Sequence, residues 1–122
     1  MILADTSLWI DQLRSPTGPL TAMLEEGLVV MHPFVIGELA CGNLRNRRSL
    51  LEMWADLPAL PSATDAEALH FIDRHALAGA GLGYVDVHLM ASATLGDAKI
   101  WTTDKALAGA ATRIGIAHDP SR

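Results

Sequence analysis

The chain begins Met1-Ile2-Leu3-Ala4-Asp5-Thr6-Ser7, a short apolar run that ends in an acid and two hydroxyl residues. An apolar run without alternation is typical of a strand that is buried on both faces of a sheet. Asp, Thr and Ser are favoured where a helix begins. We therefore predict a strand over residues 1–4, a cap at Asp5 and a helix directly after it.

The same alternation of apolar runs and helical patterns continues along the chain. Further strands are predicted over residues 28–31 and 98–101, with a last edge strand over 114–117. Helices are predicted over residues 20–26, 33–42, 47–57, 64–77 and 84–95 and after Asp104; the one that begins at Thr64 carries a capping box with Glu67. Buried strands interleaved with helices predict an α/β fold with a parallel sheet covered on both faces.

Length and composition indicate one domain that shares a surface with another chain. The 122 residues suffice for a single domain, which we place over residues 1–122. Half of the residues are hydrophobic and the mean hydropathy is +0.25, so we expect a second copy or a wrapped partner to cover apolar surface.

With no apolar stretch near the ~20 residues that cross a bilayer and no signal peptide, we expect no membrane association and a cytoplasmic protein. The lone Cys41 is predicted to be a small buried hydrophobe.

The charge distribution leaves two interpretations open. A formal net charge of −5 argues against binding nucleic acid by bulk electrostatics alone. Arg45, Arg47 and Arg48 are bunched together, however. They form either a local patch for phosphodiester binding or a solvated helix face.

Four acids lie where an apolar run ends or where a helix is predicted: Asp5, Glu38, Asp86 and Asp104. Ligands of open parallel sheets bind beyond the carboxyl ends of the strands, and Asp5 and Asp104 each follow a strand directly. If the four converge, their repulsion requires a hard cation such as Mg²⁺ or Mn²⁺, which oxygen ligands suit. This pattern indicates a metal-dependent enzyme.

Each acid also has an ordinary structural interpretation. Asp5, Asp86 and Asp104 suit helix caps or first turns, and that role is compatible with metal binding. Glu38 lies among apolar residues over 34–40. Burying an unpaired carboxylate costs several kcal/mol, so we expect Glu38 to be held at a polar or metal site.

Taken in order, these motifs resemble a known family. Asp5-Thr6-Ser7, Gly37-Glu38-Leu39, Asp86 with Ala91 and Ala93, and Thr102-Thr103-Asp104 together resemble the PIN-domain ribonucleases, in particular the VapC toxins of type II toxin/antitoxin pairs. The resemblance covers almost the whole chain. It implies an α/β/α sandwich, endoribonuclease activity with Mg²⁺ or Mn²⁺, frequent dimers, and a cognate antitoxin that wraps the toxin.

The resemblance also assigns roles to individual residues. It implies an acidic pocket of Asp5, Glu38, Asp86 and Asp104, in which Asp5 and Asp86 are the direct metal ligands. Ser7 or Thr6 would donate a hydrogen bond to Asp5, and Thr102 would shape the pocket beside Asp104. Leu107 departs from the family pattern, where many members carry an aromatic residue; this concerns packing more than chemistry.

Other functions remain open from the sequence. A Mg²⁺-dependent aspartyl phosphatase needs a second Asp at the position of Ser7, which counts against that class. A phosphotransfer receiver needs adjacent acids, where this chain has Thr6 beside Asp5, although Lys105 is compatible with a receiver. A non-catalytic PIN-like module that binds RNA or protein would be marked by loss of the acids, and all four are present. We expect His88 to pack or to form a dimer contact, and we expect Trp9, Trp54 and Trp101 to lie in the core.

Overall fold

The structure is a computed structural model and describes residues 1–120; residues 121 and 122 of the predicted domain lie outside the described part. Three strands and seven helices alternate along residues 1–120. In chain order they are β1 (Ile2–Ala4), α1 (Thr6–Arg14), α2 (Pro19–Glu25), β2 (Val29–Val30), α3 (Pro33–Ala40), α4 (Arg47–Asp56), α5 (Asp65–Arg74), α6 (Tyr84–Leu95), β3 (Lys99–Trp101) and α7 (Lys105–Ile114). Within that range no helix is both long and apolar enough to span a bilayer.

The three strands form a parallel sheet in the order β2-β1-β3. Ile2 pairs with Val29 on one side and with Lys99 on the other. All three strands are buried, apart from Lys99 at the start of β3, because helices cover the sheet. The α/β class and the PIN-like sandwich predicted from the sequence are confirmed. Since the strands are parallel, their carboxyl ends share one edge, where α1, α3 and α7 begin.

Two predictions about the ends of elements are wrong. Residues 114–117 do not form a strand: Ile114 closes α7, Gly115 turns with φ 87°, and Ala117 makes a single isolated bridge with Ile100. The left-handed turn leaves too few extended residues for a ladder. Cys41 is exposed rather than buried, because it follows the last turn of α3 as its C-cap.

The three tryptophans lie in the core, as predicted. Trp9 of α1 meets Trp54 of α4 edge to face, with ring centroids 5.8 Å apart. Such a pair adds roughly 0.5–1.5 kcal/mol to the effect of burying the rings. Their contact fixes α4 against α1.

A buried histidine joins the helices that carry two of the predicted site acids. His32 caps α3 by accepting a hydrogen bond at Nδ1 from the Phe34 N–H (3.0 Å), and its Nε2 lies 3.1 Å from the Ser92 hydroxyl of α6. Because Nδ1 accepts, Nε2 carries the proton and donates to Ser92. Burial, with a smaller effect of His88, lowers the pKa of His32 to about 4, so the ring is neutral at pH 7.

The close approach of a loop explains the glycine that ends α6. A Cβ at Gly96 would collide with the buried Leu60 side chain and lie 3.1 Å from Pro61 Cδ. At Gly109, inside α7, the same atom would meet nothing within 4 Å. The two glycines therefore have opposite structural roles.

We expect Gly96→Ala to lower the free energy of unfolding by about 1–3 kcal/mol, because the added methyl overpacks a rigid contact. Gly109→Ala should raise it by about 0.5–1 kcal/mol, since alanine suits an exposed helix interior better than glycine. Urea unfolding of both variants beside the wild type measures the difference. Equal stability of Gly96→Ala and the wild type would contradict the packing described here.

Candidate active site

Asp5 is the most constrained acid at the carboxyl edge of the sheet. It is 7% exposed and caps α1. Its Oδ1 accepts hydrogen bonds from Ser7 Oγ (2.6 Å) and the Leu8 N–H (3.1 Å), and its Oδ2 accepts one from Thr102 Oγ1. Three donors therefore fix the orientation of this buried carboxylate.

The segment after β3 is tied to the segment after β1 through hydroxyl groups. Thr102 Oγ1 bonds Asp5 and also accepts from the Asp104 N–H (3.0 Å), while Thr103 Oγ1 donates to Ser7 Oγ (3.1 Å). Asp104 caps α7 by accepting from the Leu107 N–H at 2.9 Å. Thr103 was not singled out from the sequence. The only signal for it is the doubled hydroxyl in Thr102-Thr103.

Glu38 reaches the site from the exposed face of α3. Thr6 Oγ1 donates a hydrogen bond to Glu38 Oε1 at 2.8 Å. Of the two hydroxyls expected near the first acid, Ser7 bonds Asp5 and Thr6 bonds Glu38 instead. Val35 and Leu39 are the buried residues of α3 and Glu38 is exposed, so its carboxylate carries no burial cost; that it is held at a metal site stays a prediction.

Asp86 is the acid on which the charges of the other three act. It lies half-buried in the first turn of α6 and accepts a hydrogen bond from the Gly83 N–H at 3.1 Å. Burial raises the pKa of Asp86, and the negative charges of Asp104, Asp5 and Glu38 raise it further, against the opposing effect of the Gly83 N–H. The charges of three acids from other elements therefore reach Asp86.

The chemistry of this acid cluster suits a hard divalent cation. All four side chains offer oxygen ligands. The ion pairs within residues 1–120 are Arg48 with Glu52 and His88 with Asp65, so none of the four has a cationic side-chain partner there. In the same range no three His, Cys, Asp or Glu side chains stand as a ready ligand set. Backbone and hydroxyl donors instead hold oxygens of Asp5, Asp86 and Asp104.

The three bunched arginines are exposed, and each has different local contacts. Arg45 lines a groove of about 600 Å³ together with Glu38 and with Arg14 at the end of α1. Arg47 donates to the Gly42 carbonyl (3.3 Å), and Arg48 pairs with Glu52 one turn along α4 (3.6 Å). Arg14 was not predicted, because an isolated base at a helix end carries no distinctive pattern.

Comparison with known proteins finds similarity to ribonucleases. The chain is 42% identical over 118 residues to "Ribonuclease VapC32" of Mycobacterium tuberculosis strain CDC 1551 / Oshkosh. The aligned region covers 96% of this chain and 95% of that protein. The protein of the same name from strain ATCC 25618 / H37Rv gives the same values. No protein-family model matches the chain.

We expect Asp86→Asn to raise the free energy of unfolding at pH 7 by up to about 1 kcal/mol in EDTA, because the change removes a half-buried charge that three other acids also disfavour. The raised pKa of Asp86 means that ionisation destabilises the folded state as pH rises above the unfolded value. The advantage of the variant should therefore shrink as pH falls toward 4. Urea unfolding across this pH range, with the exposed Asp11→Asn as control, measures it; a variant less stable than the wild type in EDTA would refute the repulsion.

Proposed function

The chain belongs to the VapC family of PIN-domain ribonucleases, and from this premise we propose that it is a metal-dependent endoribonuclease that acts as the toxin of a type II toxin/antitoxin pair. The observation that supports this most directly is at Asp86, where the negative charges of Asp104, Asp5 and Glu38 add to burial in raising the pKa. The proposed cofactor is Mg²⁺ or Mn²⁺. The proposed unit is one PIN-like domain over residues 1–122.

In this proposal Asp5 and Asp86 are the direct metal ligands, and Asp104 and Glu38 complete the acidic pocket. A bound divalent cation supplies positive charge at the scissile phosphate and a more acidic water, whose pKa falls from about 16 toward 7. The residues of the chain position these groups. Ser7 and Thr102 hold the Asp5 carboxylate, so its orientation is set before RNA arrives.

One acid outside the pair of direct ligands would orient the attacking water or accept its proton. Glu38 suits this role because it is exposed and Thr6 holds one of its oxygens, Oε1. Asp104 is the alternative, since it is also exposed and its Oδ2 is fixed by the Leu107 N–H.

Partners are proposed from the apolar surface. Ile10 and Leu13 of α1 are exposed and line the same groove as Glu38. A cognate antitoxin that covers this groove would bury apolar side chains and stand beside the acids. We also propose a homodimer, which fits the high hydrophobic content. The proposed location is the cytoplasm.

Cleavage of total RNA by the purified full chain in Mg²⁺, Mn²⁺ or EDTA tests the activity. We expect discrete fragments with either metal and none in EDTA, and at least a ~100-fold loss of rate in Asp5→Asn and Asp86→Asn. Circular dichroism establishes that the variants fold, and Asp11→Asn should cleave like the wild type. Activity retained in EDTA would contradict the proposal, and no cleavage with any metal by the folded, inhibitor-free chain would favour a non-catalytic module that binds RNA or protein.

The second test concerns Arg45, Arg47 and Arg48 as phosphate contacts. For single-stranded RNA, each lost phosphate contact should lower the slope of log K against log salt by about 0.7. We expect the triple change to Gln to make this slope less steep by up to about 2. Fluorescence anisotropy with a fluorescein-labelled oligouridylate 12-mer measures it, with all variants on the Asp86→Asn background. Arg113→Gln on α7 is the control. An unchanged slope would mean that the three arginines form a solvated face.

A further inference from the structure

Two aromatic rings beside the acid cluster are exposed although they are held in fixed positions. Phe34 of α3 is 41% exposed and Tyr84 of α6 is 45% exposed. Both rings pack edge to face on the buried His88, with centroid distances of 5.0 Å and 4.6 Å. His88, expected to pack rather than to catalyse, thus supports two rings whose outer surfaces face solvent.

An exposed carboxylate is fixed at the same place. Asp65, the first residue of α5, accepts hydrogen bonds at Oδ1 from the Tyr84 hydroxyl (2.7 Å) and lies 3.2 Å from His88 Nε2. Its side chain is nevertheless 83% exposed. Oδ2 has no hydrogen-bond partner among residues 1–120. The hydroxyl of Tyr84 and the ring of His88 lower the pKa of Asp65, so the free oxygen belongs to an ionised group.

These groups border the acidic site through the helices that carry them. Phe34 and Glu38 are four residues apart on the exposed face of α3, and such residues are neighbours on a helix surface. Tyr84 and Asp86 share the first turn of α6. We call Phe34, Tyr84 and Asp65 the aromatic shelf. Through Phe34 it lies next to Glu38 on α3.

We propose that the aromatic shelf binds a guanine base of an RNA strand whose backbone lies at the acid cluster. This inference rests on the proposed function for its RNA ligand. Unpaired nucleobases stack on exposed aromatic rings, and this contact accepts any base. The selectivity comes from Asp65.

The choice of guanine follows from hydrogen-bond chemistry. The Watson–Crick edge of guanine presents two adjacent donors, N1–H and N2–H, and the free Oδ2 of Asp65 can accept from both. Adenine and cytosine place an acceptor beside their donor, and uracil has one N–H between two carbonyls, so each would set an oxygen or nitrogen lone pair against the negative Asp65. A fixed anionic group also repels phosphate, which leaves a neutral base edge as its preferred contact.

The single tyrosine of the chain gives a direct test. Full-length protein labelled with 3-fluorotyrosine has one ¹⁹F resonance, at Tyr84, which can be followed in EDTA while the trinucleotides UGU, UAU, UCU and UUU are added. We expect UGU to shift the resonance and to bind about tenfold more tightly than the other three, the discrimination of one good two-bond base contact.

Three variants separate the parts of the shelf. Asp65→Asn should keep binding but abolish the preference for UGU, because the amide replaces one acceptor by a donor. Phe34→Leu should weaken binding of all four trinucleotides by about tenfold, since the stacking surface is lost. Met53→Ala removes an equally exposed apolar side chain from α4 and should change neither.

Equal binding of the four trinucleotides, or a preference for UGU retained in Asp65→Asn, would overturn the proposal. A resonance that no trinucleotide shifts, together with an assembly that dissociates in Phe34→Leu by sedimentation velocity, would mean that the rings form an interface between copies. Because binding is read in EDTA, it is independent of cleavage. Guanine preference without cleavage of total RNA would refute the nuclease alone, and cleavage without guanine preference would refute the shelf alone.

Discussion

The half-buried charge of Asp86, which three other acids also disfavour, is the constraint on which the arrangement of this site depends. A parallel sheet brings the ends of its strands, and the starts of the following helices, to one edge. Burial raises the pKa of Asp86 in the first turn of α6, and the charges of Asp104, Asp5 and Glu38 raise it further. A fold selected for stability alone would not place them together.

Neutral hydrogen-bond donors hold the acids without cancelling their charge. Ser7 and Thr102 bond the buried Asp5, and Thr6 bonds Glu38. Had arginines filled these positions, the acids would be paired and the site would hold little attraction for a cation. The neutral His32 serves the same end at a distance, since it locks α3 to α6 in the core without adding charge near the site.

Much of this arrangement could be predicted from the sequence because short-range chemistry decides it. Buried strands have unbroken apolar runs in the sequence. Asp5 and Asp104 follow such runs and cap the next helices, as their positions predict. Apart from the strand expected over residues 114–117 and the burial expected of Cys41, what could not be predicted is orientation. Which face of α3 points outward, and which acid Thr6 reaches, depend on how α3 crosses α1, and this crossing has no signature in either segment. Arg14 escaped prediction for the same reason, since it enters the groove of Glu38 only through tertiary packing.

The surface of α3 suggests how a negatively charged protein handles a negatively charged polymer. The chain carries a net charge of −5, so long-range attraction to RNA is absent. Along α3, however, the exposed ring of Phe34 lies near the start, Glu38 follows one turn later, and the groove that contains Arg45 begins beyond it. Eight residues of helix span about 12 Å, so base contact, acid cluster and positive charge lie within reach of neighbouring nucleotides. Short-range contacts on both sides of the acids can then position a phosphate that the net charge of the protein would otherwise keep away.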